Sequence, residues 1–200
     1  VAVDEPVPGR VTPVPSRRPP EPFLRPWQTS DASVLVAASA DPELARQFGG
    51  RAFDDETAAA VFIVTTYRFD EHARNWAIVE DGVVLGNLGV TAIEPVHGTA
   101  WVSYWLTERA RGRGLATRAL VAAADDAFTL GLHRLELGHR TNNPASCAVA
   151  TRAGFRAEGV ERDKLRYGDE RFDVETHARL ATDPTPDLPG LRIHAADAAA

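Results

Sequence analysis

Apolar residues recur at two different spacings along the chain, and the change from one to the other outlines its elements. Phe23-Leu24-Arg25-Pro26-Trp27 is a short extended run and predicts a strand. Thr29, Ser30 and Asp31 then offer helix N-caps ahead of Val34, Leu35 and Ala38, because a short side-chain oxygen can accept from a free amide of the first turn. Asp41-Pro42-Glu43 predicts a second short helix with proline in its first turn. Residues 54 to 69 predict a third, with Ala58, Val61, Phe62 and Thr65 on its apolar face. Trp76 to Val79 reads as a strand, and Asp81-Gly82 as a hairpin turn into Val84 to Val90. A turn near His97-Gly98 leads to a fourth strand, Ala100 to Leu106.

The period then changes. Leu115, Ala119, Leu120, Ala123, Ala127 and Phe128 fall on one face of a long helix that closes near Gly131. Leu135 to Leu137 is strand-like, Asn143 precedes a short helix stopped by Gly154, and Phe155 to Tyr167 and Arg171 to Leu180 predict a closing hairpin around Gly168-Asp169. Helices, a meander, a helical crossover and a hairpin make an α+β layout with a mixed sheet and no internal repeat. Residues 1–22 hold seven prolines and few large apolar residues, so they predict an extended tail. The folded domain is expected over 23–181, with a second, little-structured tail over 182–200.

Composition narrows the class without naming it. With 44% apolar and 25% charged residues, 200 residues suit one globular domain with a real core. A net charge of -6 gives no field to attract nucleic acid. Cys147 stands alone, which excludes an internal disulfide and a multi-cysteine zinc site, and no metal is expected. No run approaches eighteen unbroken apolar residues and no signal-like segment opens the chain, so the expectation is a cytoplasmic protein with no membrane partner.

The segment that carries chemistry is Arg111-Gly112-Arg113-Gly114-Leu115-Ala116-Thr117, between a strand and the long helix. Glycines let the backbone approach a ligand, and the first helical turn presents free N–H groups at the positive end of the helix dipole. Arg111, Arg113 and the Thr117 hydroxyl can add contacts to a diphosphate. It is not a Walker loop, since the single lysine is Lys164, and it follows a meander rather than the first strand of a dinucleotide fold.

Arg-Gly-Arg-Gly-Leu-Ala resembles the Q/R-x-x-G-x-G/A signature of the GNAT superfamily of N-acetyltransferases. Tyr104-Trp105-Leu106 before it, and Asn143-Pro144-Ala145-Ser146, Gly154-Phe155 and Glu158-Gly159 after it, resemble the RimJ/RimL-like branch, over roughly residues 23 to 181. The resemblance implies a mixed, mainly antiparallel sheet flanked by helices on both faces, and acetyl-CoA or another acyl-CoA as co-substrate. It implies that amides from Gly112 through Arg113, Gly114, Leu115 and Ala116 to Thr117 hold the pyrophosphate. Leu106 and Thr107 would offer backbone to the pantetheine arm where the fourth strand splays from the fifth. Asn143 would orient the cofactor's amide arm, and Ser146 would lie near the sulfur.

Acetyl transfer needs a neutral amine, an oxyanion stabiliser and a proton for the departing thiolate. Many superfamily members carry a tyrosine seven residues after the Asn, where this chain has Ala150, so Ser146 becomes the candidate acid. His139 is the candidate base, by its ordinary pKa, with Glu94 and His97 as weaker options. Tyr104 reads as a core aromatic, Glu158 as structural, and direct thioester exchange through Cys147 is disfavoured. The expected acceptor is an amine, either a protein N-terminus or a small molecule. Asp54, Asp55, Glu56, Glu71, Asp169 and Glu170, in the segments expected to form its pocket, are compatible with a cationic one. Two alternatives stand beside it: another acyl group such as succinyl, with Arg140 facing its carboxylate, or a non-catalytic acyl-CoA-binding module. A homodimer is compatible with the sequence, which marks no interface.

Overall fold

The computed structural model describes residues 21–48, 50 and 52–194. The proline-rich segment up to residue 20, expected as a tail, lies outside them. In chain order the elements are β1 (Phe23–Pro26), α1 (Ala32–Ser39), α2 (Pro42–Ala45), α3 (Glu56–Thr66), β2 (Arg74–Glu80), β3 (Val83–Glu94) and β4 (Thr99–Leu106). They continue with α4 (Leu115–Thr129), β5 (Arg134–Arg140), α5 (Pro144–Arg152), β6 (Arg156–Tyr167), β7 (Glu170–Leu180) and β8 (Arg192–Ile193).

The strands form one sheet in the order β6-β7-β5-β4-β3-β2-β1-β8. Every pairing is antiparallel except β4 with β5 and β1 with β8. This is the mixed, mainly antiparallel α+β sheet that the sequence led us to expect. The period-2 alternation within each strand splits its side chains between two cores. Ala100, Val102, Leu135 and Leu137 face α4 and α5, together with Leu120 and Phe155. Trp105, Ala77 and Val79 face α1 and α3 on the other side, together with Leu35 and Ile63.

Local chemistry fixes the helix starts. Asp41 and Asp55 cap α2 and α3 by accepting from the amides of Glu43 and Ala58. The face of α3 differs from expectation: Ala59 and Ile63 are buried, whereas Val61 is 58% exposed and Ala58 is exposed. Glu-Thr-Ala-Ala-Ala-Val-Phe-Ile-Val is apolar nearly all round, so its periodicity selects no stripe, and the fit to the sheet decides.

The second correction concerns the expected C-terminal tail. Up to residue 194 it is part of the fold. Leu191 is buried against α4, its amide donates to the Arg118 carbonyl at 3.1 Å, and β8 adds a parallel edge strand to β1. The amide of His194 donates to the Leu24 carbonyl at 2.8 Å, and its ring stacks on Phe23 at 4.1 Å. The buried Leu191 and the pairing of β8 with β1 anchor the segment despite its proline content.

Candidate functional site

The site begins as a failure of strand pairing. β4 and β5 share a parallel register only from Thr99 to Trp101 against Arg134 to Glu136, and then diverge. A cleft of about 950 Å3 opens between them, floored by Leu137 to Arg140 and walled by β4, the first turn of α4, and α5. The β4 backbone presents half of its polar groups to this cleft. The Thr107 amide donates to the Leu85 carbonyl at 2.8 Å. That contact sets the phase of an antiparallel ladder in which alternate residues face the partner. Trp101, Ser103, Trp105 and Thr107 therefore turn their backbone to β3, and Val102, Tyr104 and Leu106 turn theirs to the cleft. Leu106 turns its backbone to the cleft. Thr107 does not, since its hydroxyl as well as its amide donates to Leu85.

At the mouth of the cleft lies the glycine loop. Gly112 and Gly114 both have φ of +73°, a left-handed conformation costly for other residues, and no atom stands within 4 Å of where a Cβ would be. Gly114 is the N-cap of α4 and supplies no side-chain acceptor. The first intrahelical bond runs from Arg118 to the Gly114 carbonyl, so the amides of Leu115, Ala116 and Thr117 have no acceptor within the helix. A bare, open helix start of this kind fits a diphosphate. Arg111 reaches the Leu106 carbonyl at 3.3 Å and Asp41 at 3.4 Å, and lines the cleft. Arg113 is turned away onto Glu80, with contacts of 2.6 and 2.8 Å that raise its pKa.

Deeper in, α5 is held by its cap. The Asn143 side chain accepts from the Ser146 amide at 3.1 Å, and the Ser146 carbonyl accepts from the Tyr104 hydroxyl at 3.3 Å. With amide and carbonyl both committed, Ser146 offers the cleft its side chain. Burial raises the Tyr104 pKa, which keeps the phenol protonated. Tyr104 packs against the core and also bonds α5, a contact that its place before the loop does not reveal. Ala150 is wholly buried, and its methyl side chain brings no hydroxyl to the cleft.

His139 lines the cleft floor, yet both ring nitrogens are engaged inside the protein. Nδ1 lies 3.0 Å from the Arg140 carbonyl and Nε2 lies 3.0 Å from Nε2 of His177. The base role expected of it lacks a nitrogen directed at a substrate.

Other expected residues fall elsewhere. Glu94 caps the Val96 amide and His97 is exposed, at the end of the sheet where β4 and β5 still pair. Glu158 forms a two-pronged pair with Arg134, which holds its carboxyl below the usual range. Asp54, Asp55, Glu56, Glu71, Asp169 and Glu170 do not line the cleft. Among the described lining residues, Arg46, Arg111, Arg140, Arg152 and Lys164 stand with one carboxylate, Glu43, while Arg111 and Lys164 also pair with Asp41 and Glu161 outside it. That balance suits an anionic ligand rather than a polycation.

A family described as acetyltransferase (GNAT) domain matches residues 23–156. Ribosomal-protein-serine acetyltransferase of Escherichia coli is 33% identical over 110 residues, 54% of this chain and 62% of that protein, so the match spans less than two thirds of that relative. Among solved structures, RimL, a ribosomal alpha-N-protein acetyltransferase in complex with coenzyme A, superposes with a TM-score of 0.70 at 23% identity, covering 80% of this chain and 94% of that one. Spermidine N-acetyltransferase from Vibrio cholerae, in complex with CoA and spermine, gives 0.71 at 17% identity, covering 82% and 97%. Likeness at these identities concerns the fold.

Proposed function

The chain belongs to the GNAT acetyltransferase family, and we propose that it moves an acetyl group from acetyl-CoA to a primary amine by direct attack in a ternary complex. One observation carries the reading: an uncapped helix start beneath two open glycines, at the mouth of a cleft where two parallel strands part. The loop and the amides of Leu115, Ala116 and Thr117 hold the pyrophosphate, and Arg111 adds charge. The outward backbone of Val102, Tyr104 and Leu106 pairs with the pantetheine arm, as a strand would. Asn143 keeps α5 in register and directs its remaining amide hydrogens to that arm.

The amine attacks the thioester carbonyl, the carbon–sulfur bond breaks, and the thiolate takes a proton. An outward β4 amide polarises the carbonyl oxygen, and the Ser146 hydroxyl supplies the proton. The proton lost by the amine passes to water in the open cleft, which returns a proton to Ser146, with His139 as a wall residue. Much of the rate comes from holding the two substrates in line.

The cationic lining favours an acceptor whose amine sits near carboxylates, such as an acidic protein N-terminus, over a polyamine. We place the reaction in the cytoplasm, where such acceptors are made. Among the described residues no helix is long and apolar enough to cross a membrane. Arg140 also lines the cleft, so a succinyl donor is a second reading. Thiol release, measured with acetyl-CoA and succinyl-CoA against acidic N-terminal peptides and spermidine, tests these readings together. Acetyl transfer to the peptides is expected. Tight CoA binding with no turnover on any amine would reduce the protein to an acyl-CoA-binding module.

A further inference from the structure

Beneath α5, four side chains from three elements converge. His139 comes from β5, Cys147 from α5, and Glu175 and His177 from alternate positions of β7 that share a face. One ligating atom from each lies within 4.8 Å of all the others. His139 Nε2 is 3.0 Å from His177 Nε2 and 3.4 Å from Glu175 Oε2, which lies 3.0 Å from His177 Nε2. Both imidazoles are nearly inaccessible, with side chains 5% and 2% exposed.

Counting protons identifies what this arrangement needs. Each Nδ1 faces a backbone carbonyl, His139 that of Arg140 at 3.0 Å and His177 that of Phe155 at 3.4 Å. A carbonyl can only accept, so a neutral ring that donates to it from Nδ1 is left with a bare lone pair on Nε2. In that tautomer the two lone pairs face each other beside the Glu175 carboxylate, which the Cys147 thiol also meets. Two buried imidazole acceptors beside a partly exposed carboxylate make a cation favourable among them. A ring whose far nitrogen donates to a backbone carbonyl is also the usual setting of a metal-bound histidine.

We propose that His139, Cys147, Glu175 and His177 form a binding site for a divalent transition-metal ion of the zinc class. Two imidazoles, a thiolate and a carboxylate suit zinc, whereas calcium and magnesium require oxygen donors. Four protein ligands leave no open position, which makes the ion structural. It ties α5, the helix that carries Asn143 and Ser146, to β5 and β7, and so stiffens one wall of the cleft. Binding releases the thiol proton of Cys147 to solvent and involves no redox step. The site stands independently of the acetyl-transfer reading, because it rests on residues other than the glycine loop and is read out without activity.

The test uses the full chain stripped with a chelator and titrated with cobalt(II), then with zinc. One equivalent of cobalt is expected to give tetrahedral visible bands and a thiolate charge-transfer band in the near ultraviolet. Zinc is expected to displace the cobalt and to raise the melting temperature. Cys147→Ser, at a half-buried position that tolerates the exchange, should lose the charge-transfer band and bind cobalt at least about tenfold more weakly, ~1.4 kcal/mol. Absence of a cobalt spectrum at stoichiometric loading overturns the proposal. So does a spectrum unchanged in Cys147→Ser, or a histidine NMR spectrum with a proton on one Nε2 that zinc does not displace.

Discussion

Replacing Gly114 by alanine tests the anion cradle at its most constrained point. At φ of +73° a Cβ meets no neighbour within 4 Å, so the whole effect is conformational. A left-handed residue with a side chain costs about 1–2 kcal/mol. Alanine also restricts the unfolded chain, which returns roughly 0.4–1 kcal/mol, and the net penalty is about 1 kcal/mol. That penalty has two ways to appear. If the loop keeps its shape without ligand, the melting temperature falls by about 2–4 °C and CoA affinity is unchanged. If the loop relaxes when empty, stability is kept and binding must restore the left-handed turn, which raises Kd by about fivefold. Thermal unfolding with and without CoA, with calorimetric titration of CoA, separates the two, and their free energies should sum to about 1 kcal/mol. Gly114→Asn, a residue more tolerant of this conformation, should lose less. An alanine variant with unchanged melting temperature and unchanged CoA affinity would refute the reasoning.

Three further outcomes follow from contacts described above. Asn143→Ala removes the cap of α5 and should cost about 0.5–2 kcal/mol with a raised KM for acetyl-CoA; Asn143→Asp should retain most of the stability in thermal melts. His139→Asn should lower kcat by less than about tenfold in metal-free enzyme, whereas a loss in the roughly hundredfold range of a general base would reinstate that role. Arg134 depresses the Glu158 carboxyl, so the pair contributes stability that is full above the ordinary carboxylate pKa of about 4.3 and is lost as pH falls through the folded value. Glu158→Gln should therefore flatten the acid limb of a melting-temperature profile, by a small amount because the pair is exposed; an unchanged limb would show that the contact is idle.

What was legible in the sequence was local. The Asp81-Gly82 turn, the proline-started helices and the glycine loop each announce themselves within a few residues, because each is a short-range backbone requirement. The divergence of β4 from β5 was not legible: alternation at Leu135 and Leu137 tells which face is buried, not which strand lies alongside or where pairing ends. The phase that turns Leu106 toward the cleft and Thr107 away from it depends on one amide finding Leu85, twenty-two positions earlier. His139, Cys147, Glu175 and His177 follow no metal-binding spacing, since a parting strand, a helix and a distant hairpin bring them together. The α3 stripe was misread because its sequence is apolar on every side, so only the neighbour could choose.

The pairing of β8 with β1 has a consequence for synthesis. Phe23 and Leu24 leave the ribosome well before Arg192 and Ile193, which pair with their outer edge. Until β8 is made, β1 carries an open row of backbone donors and acceptors, a template for pairing with another nascent chain. Such long-range closure is slow to form. The order of synthesis therefore leaves the β1 edge open until β8 seals it. A chain truncated before Leu191 should aggregate during refolding even where its cleft forms, and dilution should rescue it.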